Sequence, residues 1–229
     1  MVNTMNTLHS LAACARRARR FGLGGFAAAV LLAGGCGALP DKPSRTTLYD
    51  FGPGTANTAP APADATTLSP IALAEIEASA RLEGTQVLYR LGYADANELR
   101  PYGQARWSVA PAQLLRQRLG DVLSARRTVL GPDESATIAR TQGKAPDMLQ
   151  VSLDEFSQYF ESAASSVGLV RLRATLIRSG PGGDRVVAQR SFTARRPAPS
   201  ADAAGGVKAL AAASDAVVAD LVAWVDQAR

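Results

Sequence analysis

The sequence predicts an α+β fold: an antiparallel β-sheet with two helices packed on one face. Three stretches of period two carry the sheet. In 148–156, Leu149, Val151 and Leu153 alternate with Gln150, Ser152 and Asp154. In 167–178, Val170, Leu172, Ala174 and Leu176 alternate with Arg171, Arg173 and Thr175. In 185–195, Val186, Ala188 and Phe192 share a face. One apolar and one charged face is the pattern of a sheet covered on one side only. Two other stretches have helical spacing. Leu114, Leu115, Leu119, Val122 and Leu123 form one stripe, and Val207, Leu210, Ala211, Ser214, Val217, Val218, Leu221 and Val225 form the other.

In chain order, the first organised stretch is 16–37. Arg16, Arg17, Arg19 and Arg20 precede an apolar run from Phe21 to Ala33, and Gly34 and Gly35 lead into Cys36. Positive, apolar and small-residue regions in that order form an export leader. The run is shorter than the ~20 residues a spanning helix needs. Ending on cysteine, it resembles the bacterial lipobox, in which the thiol receives a diacylglycerol and the leader is cut just before it. Ala33 stands where the usual pattern has leucine, with Leu32 one position earlier. A plain leader with an incidental cysteine and an uncleaved anchor are the other readings. Under the lipobox reading, 1–35 is a signal peptide, 36–45 is the lipidated cysteine and its tether, and 46–229 is one domain. Acyl chains contribute about 0.8 kcal/mol per buried CH2, which makes such an anchor essentially permanent.

The remaining elements follow from local pattern. Residues 46–52 are expected as a first strand, with Tyr49 within ~45 Å of Cys36 along an extended chain. Residues 53–67 are rich in Pro and Ala and are expected as a mobile loop. Alternatively, the tether runs on through 67. Strands are expected at 68–77, 85–91 and 101–109, with a polar connection over 92–100. Pro111 opens the first helix, with Ser108 placed to cap it. A short strand at 128–130 and a polar loop over 131–146 lead into the three alternating strands. Ser200 or Asp202 can cap the last helix.

Charge and composition exclude several functions. The 229 residues carry net charge +5, but the leader arginines account for much of it. After Cys36 there are 21 basic and 20 acidic residues, so the pI of 9.6 is no nucleic-acid signature. The second cysteine, Cys14, and the single histidine, His9, both lie in the leader. The mature chain is therefore expected to lack a disulfide, a His-based nucleophile system, and the commonest metal ligand. No cofactor or metal site is expected.

Tyr89, Tyr93, Tyr102 and Trp107, with Arg106, concentrate aromatic and cationic groups in one short region. They form an exposed partner or lipid surface, or they fill the sheet–helix core. Asp154, Glu155 and Glu161 raise the question of paired carboxylates. Neighbours in a regular strand point to opposite faces, so Asp154 and Glu155 are not expected to converge. Arg171 and Arg173 share a strand face that either binds lipid phosphates or is simply solvated. No catalytic residue is expected.

The lipobox, YDFG at 49–52, VLYRLGYADANELRPYGQARW at 87–107, APAQLLRQRL at 110–119 and VRLRATLI at 170–177 resemble the ABC-type transport auxiliary lipoproteins. That family includes the paraquat-inducible (Pqi) lipoprotein. The resemblance implies a non-enzymatic component of a lipid-transport system. In such a system a mammalian-cell-entry (MCE) domain protein bridges the periplasm, and the lipoprotein docks it at a membrane. A homo-oligomer is compatible with that role. Gly37 follows Cys36 where inner-membrane retention would favour aspartate, so the periplasmic face of the outer membrane is expected. The alternative is a structural lipoprotein that scaffolds an outer-membrane assembly complex.

Overall fold

The structure, a computed structural model, describes residues 45–53, 68–142, 145–180 and 182–228. The leader, Cys36 and all of the expected mobile loop at 53–67 except Pro53 lie outside the described residues. Among the described residues, eight strands form one sheet: β1 (Thr47–Tyr49), β2 (Leu68–Ala78), β3 (Gln86–Leu91), β4 (Asp95–Trp107), β5 (Arg127–Leu130), β6 (Asp147–Phe160), β7 (Ser166–Gly180) and β8 (Gly183–Pro197). The helices are α1 (Pro111–Ser124), α2 (Pro132–Gln142) and α3 (Ala203–Gln227).

β6 is the hub. One of its edges pairs antiparallel with β7, which pairs antiparallel with β8. Its other edge carries two strands in succession, both parallel to it. β2 covers the first part, with Ile71 opposite Asp147, and β3 covers the last, with Tyr89 opposite Gln158. From there the sheet forks, through β2 to a parallel β5 and through β3 to an antiparallel β4 and a parallel β1. The sheet is therefore mixed, not purely antiparallel as the alternation suggested. Alternation reports which face is buried and is blind to strand direction. The crossover that parallel pairing requires is supplied by β4, α1, β5 and α2, which separate β3 from β6.

Leu149, Val151, Leu153 and Phe156 of β6 and Val170, Leu172, Ala174 and Leu176 of β7 bury one face. α1 adds Leu114, Leu115, Leu119 and Leu123 to the core, and α3 adds Val207, Leu210, Val217, Val218, Leu221 and Val225. Ala213 is fully buried on α3, whereas Ala211 is only partly so. Gly168 permits the close approach of β7 to α3. A Cβ there would lie 2.4 Å from the carbonyl carbon of Ala209. Asp202 caps α3 by accepting from the Gly205 amide at 2.7 Å. That bond, with one from the Ser200 hydroxyl, holds its carboxyl below the usual range.

Three local expectations differ from the structure. The 131–146 stretch is not all loop, because Pro132–Gln142 is helical. Pro132 in its first turn, Asp133 and Glu134 close behind, and a Glu134 carboxylate accepting from the Gly131 amide at 2.8 Å make the start favourable. Among the described residues there are thus three α-helices rather than two. The N-cap of α1 is Ala110 with no side-chain bond, and the Ser108 amide instead donates to the Tyr49 carbonyl at 2.7 Å. The polar stretch 95–100 belongs to β4, where its residues are largely exposed.

Candidate functional site

The aromatic region divides by depth. Trp107 is 1% exposed, so the core reading holds for it and it does not form a surface. Its ring meets Phe51 edge-on at 5.7 Å and Phe156 at 5.5 Å. Tyr89 and Tyr102 are half-buried and pack against each other at 4.6 Å. The Tyr102 hydroxyl donates to Gln158 Oε1 at 2.8 Å, and the buried Gln158 amide donates to Ser166 Oγ at 2.7 Å. Burial, followed by the nearby Tyr89 and Asp202, pushes the Tyr102 hydroxyl up to about 12. Arg106 is partly buried and folds back along its own strand, donating to the carbonyls of Tyr102 and Ala105. Tyr93 projects from the region, 51% exposed.

Phe51, which period and spacing did not single out, completes this cluster. It sits in a short strap, 45–53, whose β1 lies parallel to the end of β4 with Tyr49 opposite Trp107. Asp50 accepts from the Gly52 amide at 2.7 Å, a turn for which glycine's φ of +69° is suited. Arg118 of α1 donates to the carbonyls of Phe51 at 3.1 Å and Gly52 at 3.2 Å, and pairs with Asp215 of α3 at 2.9 Å. The strap, α1 and α3 frame a cleft of about 690 Å³. A second cleft, of about 800 Å³, has Ile71, Leu130, Leu176 and Val225 in its walls together with Arg127 and Arg178. Arg178 is held by Asp147 at 2.6 Å, which raises its affinity for the proton. Arg127 is paired with Asp226.

On the open face of the sheet, Arg90 and Glu155 form an ion pair at 3.1 Å, 13% and 12% exposed. The Ser157 hydroxyl donates to the same carboxylate at 2.8 Å. Asp154 pairs with Arg173 at 3.5 Å on this face too. Asp154 and Glu155 do therefore share a side, contrary to the expectation for a regular strand. β6 bulges between Leu153 and Glu155, and the extra residue cancels one alternation. Each carboxylate is held by its own arginine, and Glu161 pairs with Arg195 at 2.6 Å. Arg171 stands exposed beside Arg173 on the solvated face.

With this geometry the chain can be compared with known proteins. The family model for the ABC-type transport auxiliary lipoprotein component matches residues 49–222. The match begins at Tyr49 in the strap. Protein XCC0632 from Xanthomonas campestris has a similar structure, at 21% identity and a TM-score of 0.59, over 70% of this chain and 85% of that one. An uncharacterized protein aligns at 16% identity and a TM-score of 0.55, over 79% and 99% of the two chains. Protein CT253 from Chlamydia trachomatis aligns at 10% identity and a TM-score of 0.46, over 69% and 95%. No curated protein matches the sequence. The family match spans the domain from strap to last helix, and the chain belongs to the family of ABC-type transport auxiliary lipoprotein components.

Proposed function

We propose that this chain docks the MCE-domain protein of an ABC-type lipid-transport system at the periplasmic face of the outer membrane, anchored through acylated Cys36. Family membership supports the coarser part, a lipid-anchored envelope protein serving an ABC-type transporter. The docking role is not catalytic.

The observation that carries the proposal is the strap. Its described part begins at Arg45, nine positions after Cys36. By Phe51 it is part of the aromatic core, and Arg118 ties it to both α1 and α3. A load on the anchor is thereby passed to the folded domain rather than to a loose tail. Tyr93 at the tip of the β3–β4 hairpin, with Tyr89, Tyr102 and Arg106 further along the same hairpin, would form the partner surface, and Trp107 at its far end would fix the hairpin to the core.

The test is crosslinking of the lipoprotein in intact envelopes, followed by mass spectrometry of its partners and of its N-terminal peptide. An acylated Cys36 together with an MCE-domain protein is the expected result. Partners drawn only from an outer-membrane assembly complex would replace docking with scaffolding. An unmodified Cys36 would remove the anchor from the proposal.

A further inference from the structure

Positive charge is concentrated in the β7–β8 hairpin. Between residues 166 and 197 there are seven arginines, Arg171, Arg173, Arg178, Arg185, Arg190, Arg195 and Arg196, against the single carboxylate of Asp184. The rest of the chain after Cys36 has 14 basic and 19 acidic residues. Arg173, Arg178 and Arg195 are paired with Asp154, Asp147 and Glu161. Arg171, Arg185, Arg190 and Arg196 are exposed and have no carboxylate partner among the described residues.

The same hairpin supplies the outer edge of the sheet. β8 is 15 residues long and among the described residues pairs only with β7, which leaves the other side of its backbone without a strand partner there. α3 packs over β7 and β8 on the covered face of the sheet. Trp224 meets Phe192 edge-on at 5.7 Å, and Arg190 lies over the Phe192 ring at 5.2 Å. Between edge and helix is a groove of about 360 Å³ lined by Arg190, Phe192, Asp220, Trp224 and Gln227. A strand edge flanked by a helix is the arrangement in which an extended peptide adds to a sheet. Its backbone pairs with the edge, and alternate side chains reach the groove.

We infer that the β8 edge takes up an acidic, extended segment of a partner protein as a ninth strand, with an apolar side chain seated on Trp224 and Phe192. Charge decides against a second copy in this place, because antiparallel self-pairing of β8 would set arginines against arginines. Position decides against the membrane. Arg171 projects from the open face, between the buried Val170 and Leu172. Arg190 and Arg196 lie on the other side, in register with Ala174 and Gly168, which face α3. A flat lipid surface meets one side of a sheet, whereas an added strand meets both. β8 is also the opposite edge from β1, where the strap enters, about 24 Å away at ordinary strand spacing.

The inference rests on the docking role proposed above, but its test needs no transporter. The probe is a labelled ten-residue peptide alternating glutamate and valine, with one central phenylalanine. It is titrated into the full-length lipoprotein in detergent and followed by fluorescence anisotropy. The acidic peptide is expected to bind at least about tenfold more tightly than its lysine-for-glutamate counterpart. It is expected to protect amides of 183–197 from hydrogen exchange, and N-methylation of alternate peptide amides is expected to abolish binding. The combined variant Arg185→Gln, Arg190→Gln and Arg196→Gln should bind at least about tenfold more weakly with an unchanged Tm. Equal binding of the lysine peptide, protection elsewhere, or retained binding after N-methylation would overturn the inference. So would arginine-dependent binding to vesicles of anionic phospholipid with no protection of β8 by the peptide. If the lysine control and β8 protection hold while crosslinking finds no MCE-domain protein, the groove stands and the transporter assignment fails.

Discussion

The guanidinium of Arg118 donates to the main-chain carbonyl of Phe51 at 3.1 Å, so a helix directly holds the strap at 45–53. The same side chain is 11% exposed and reaches Asp215 at 2.9 Å. Three chain segments therefore depend on one residue. Arg118→Ala is expected to cost about 1.5–3 kcal/mol, the range for hydrogen bonds to a charged group. In thermal denaturation the Tm should fall by roughly 3–10 °C. Limited proteolysis should cut earlier near Pro53. Asp215→Ala should have a smaller effect, because Asp215 is largely solvated and the carbonyl bonds survive.

Trp107 and Tyr93 separate core from surface within one aromatic region. Trp107→Ala should cost about 3–5 kcal/mol, since Phe51 and Phe156 lose their common neighbour. Tyr93→Ala should change stability by no more than about 0.5 kcal/mol. If the β3–β4 hairpin docks the partner, Tyr93→Ala lowers recovery of the MCE-domain protein in crosslinking without moving Tm.

The Arg90–Glu155 pair is tied to the sheet by several bonds. Arg90 also donates to the carbonyls of Ala96 and Asn97 at 3.2 Å, linking β6 to the far end of the β3–β4 hairpin. Removing either member leaves a charge with little solvent. Arg90→Ala or Glu155→Ala is expected to cost about 3–5 kcal/mol in urea unfolding. The double variant should cost less than the sum of the two.

Tyr102 should be among the last tyrosines to ionise. Its pKa is raised to about 12, chiefly by burial, so the neutral form is favoured in the folded protein. The resulting stabilisation is fully present below about pH 10, the value of an unperturbed tyrosine. It is lost as pH rises towards about 12. Spectrophotometric titration should show a late phenolate step that Tyr102→Phe removes. That variant leaves Gln158 Oε1 without its donor and should cost about 1–3 kcal/mol at neutral pH.

Much of the fold was legible locally because period two and period 3.6 are written in consecutive residues. Leu149, Val151, Leu153, Leu172 and Ala174 are buried where the alternation put them. The start of α2 was legible too, in Pro132, Asp133 and Glu134, but the polar character of the stretch masked it. The β6 bulge had no local sign, and it is what turns Asp154 and Glu155 to one side. The aromatic region was ambiguous for a different reason. A tryptophan suits a core and an interface equally well, and only the arrival of Phe51 and Phe156 from distant parts of the chain decides which it serves.

By itself, the sequence determined most of the strands, the two long helices, the covered face of the sheet, and the family through motifs spread along the mature chain. Tertiary structure decided the direction and order of the strands. It seated the strap against Trp107 and left β8 as an unpaired, arginine-rich edge beside Trp224. The division has one physical cause. Burial periodicity is a property of neighbouring residues, whereas strand direction, bulge placement and edge exposure depend on which distant backbone supplies the hydrogen-bond partners.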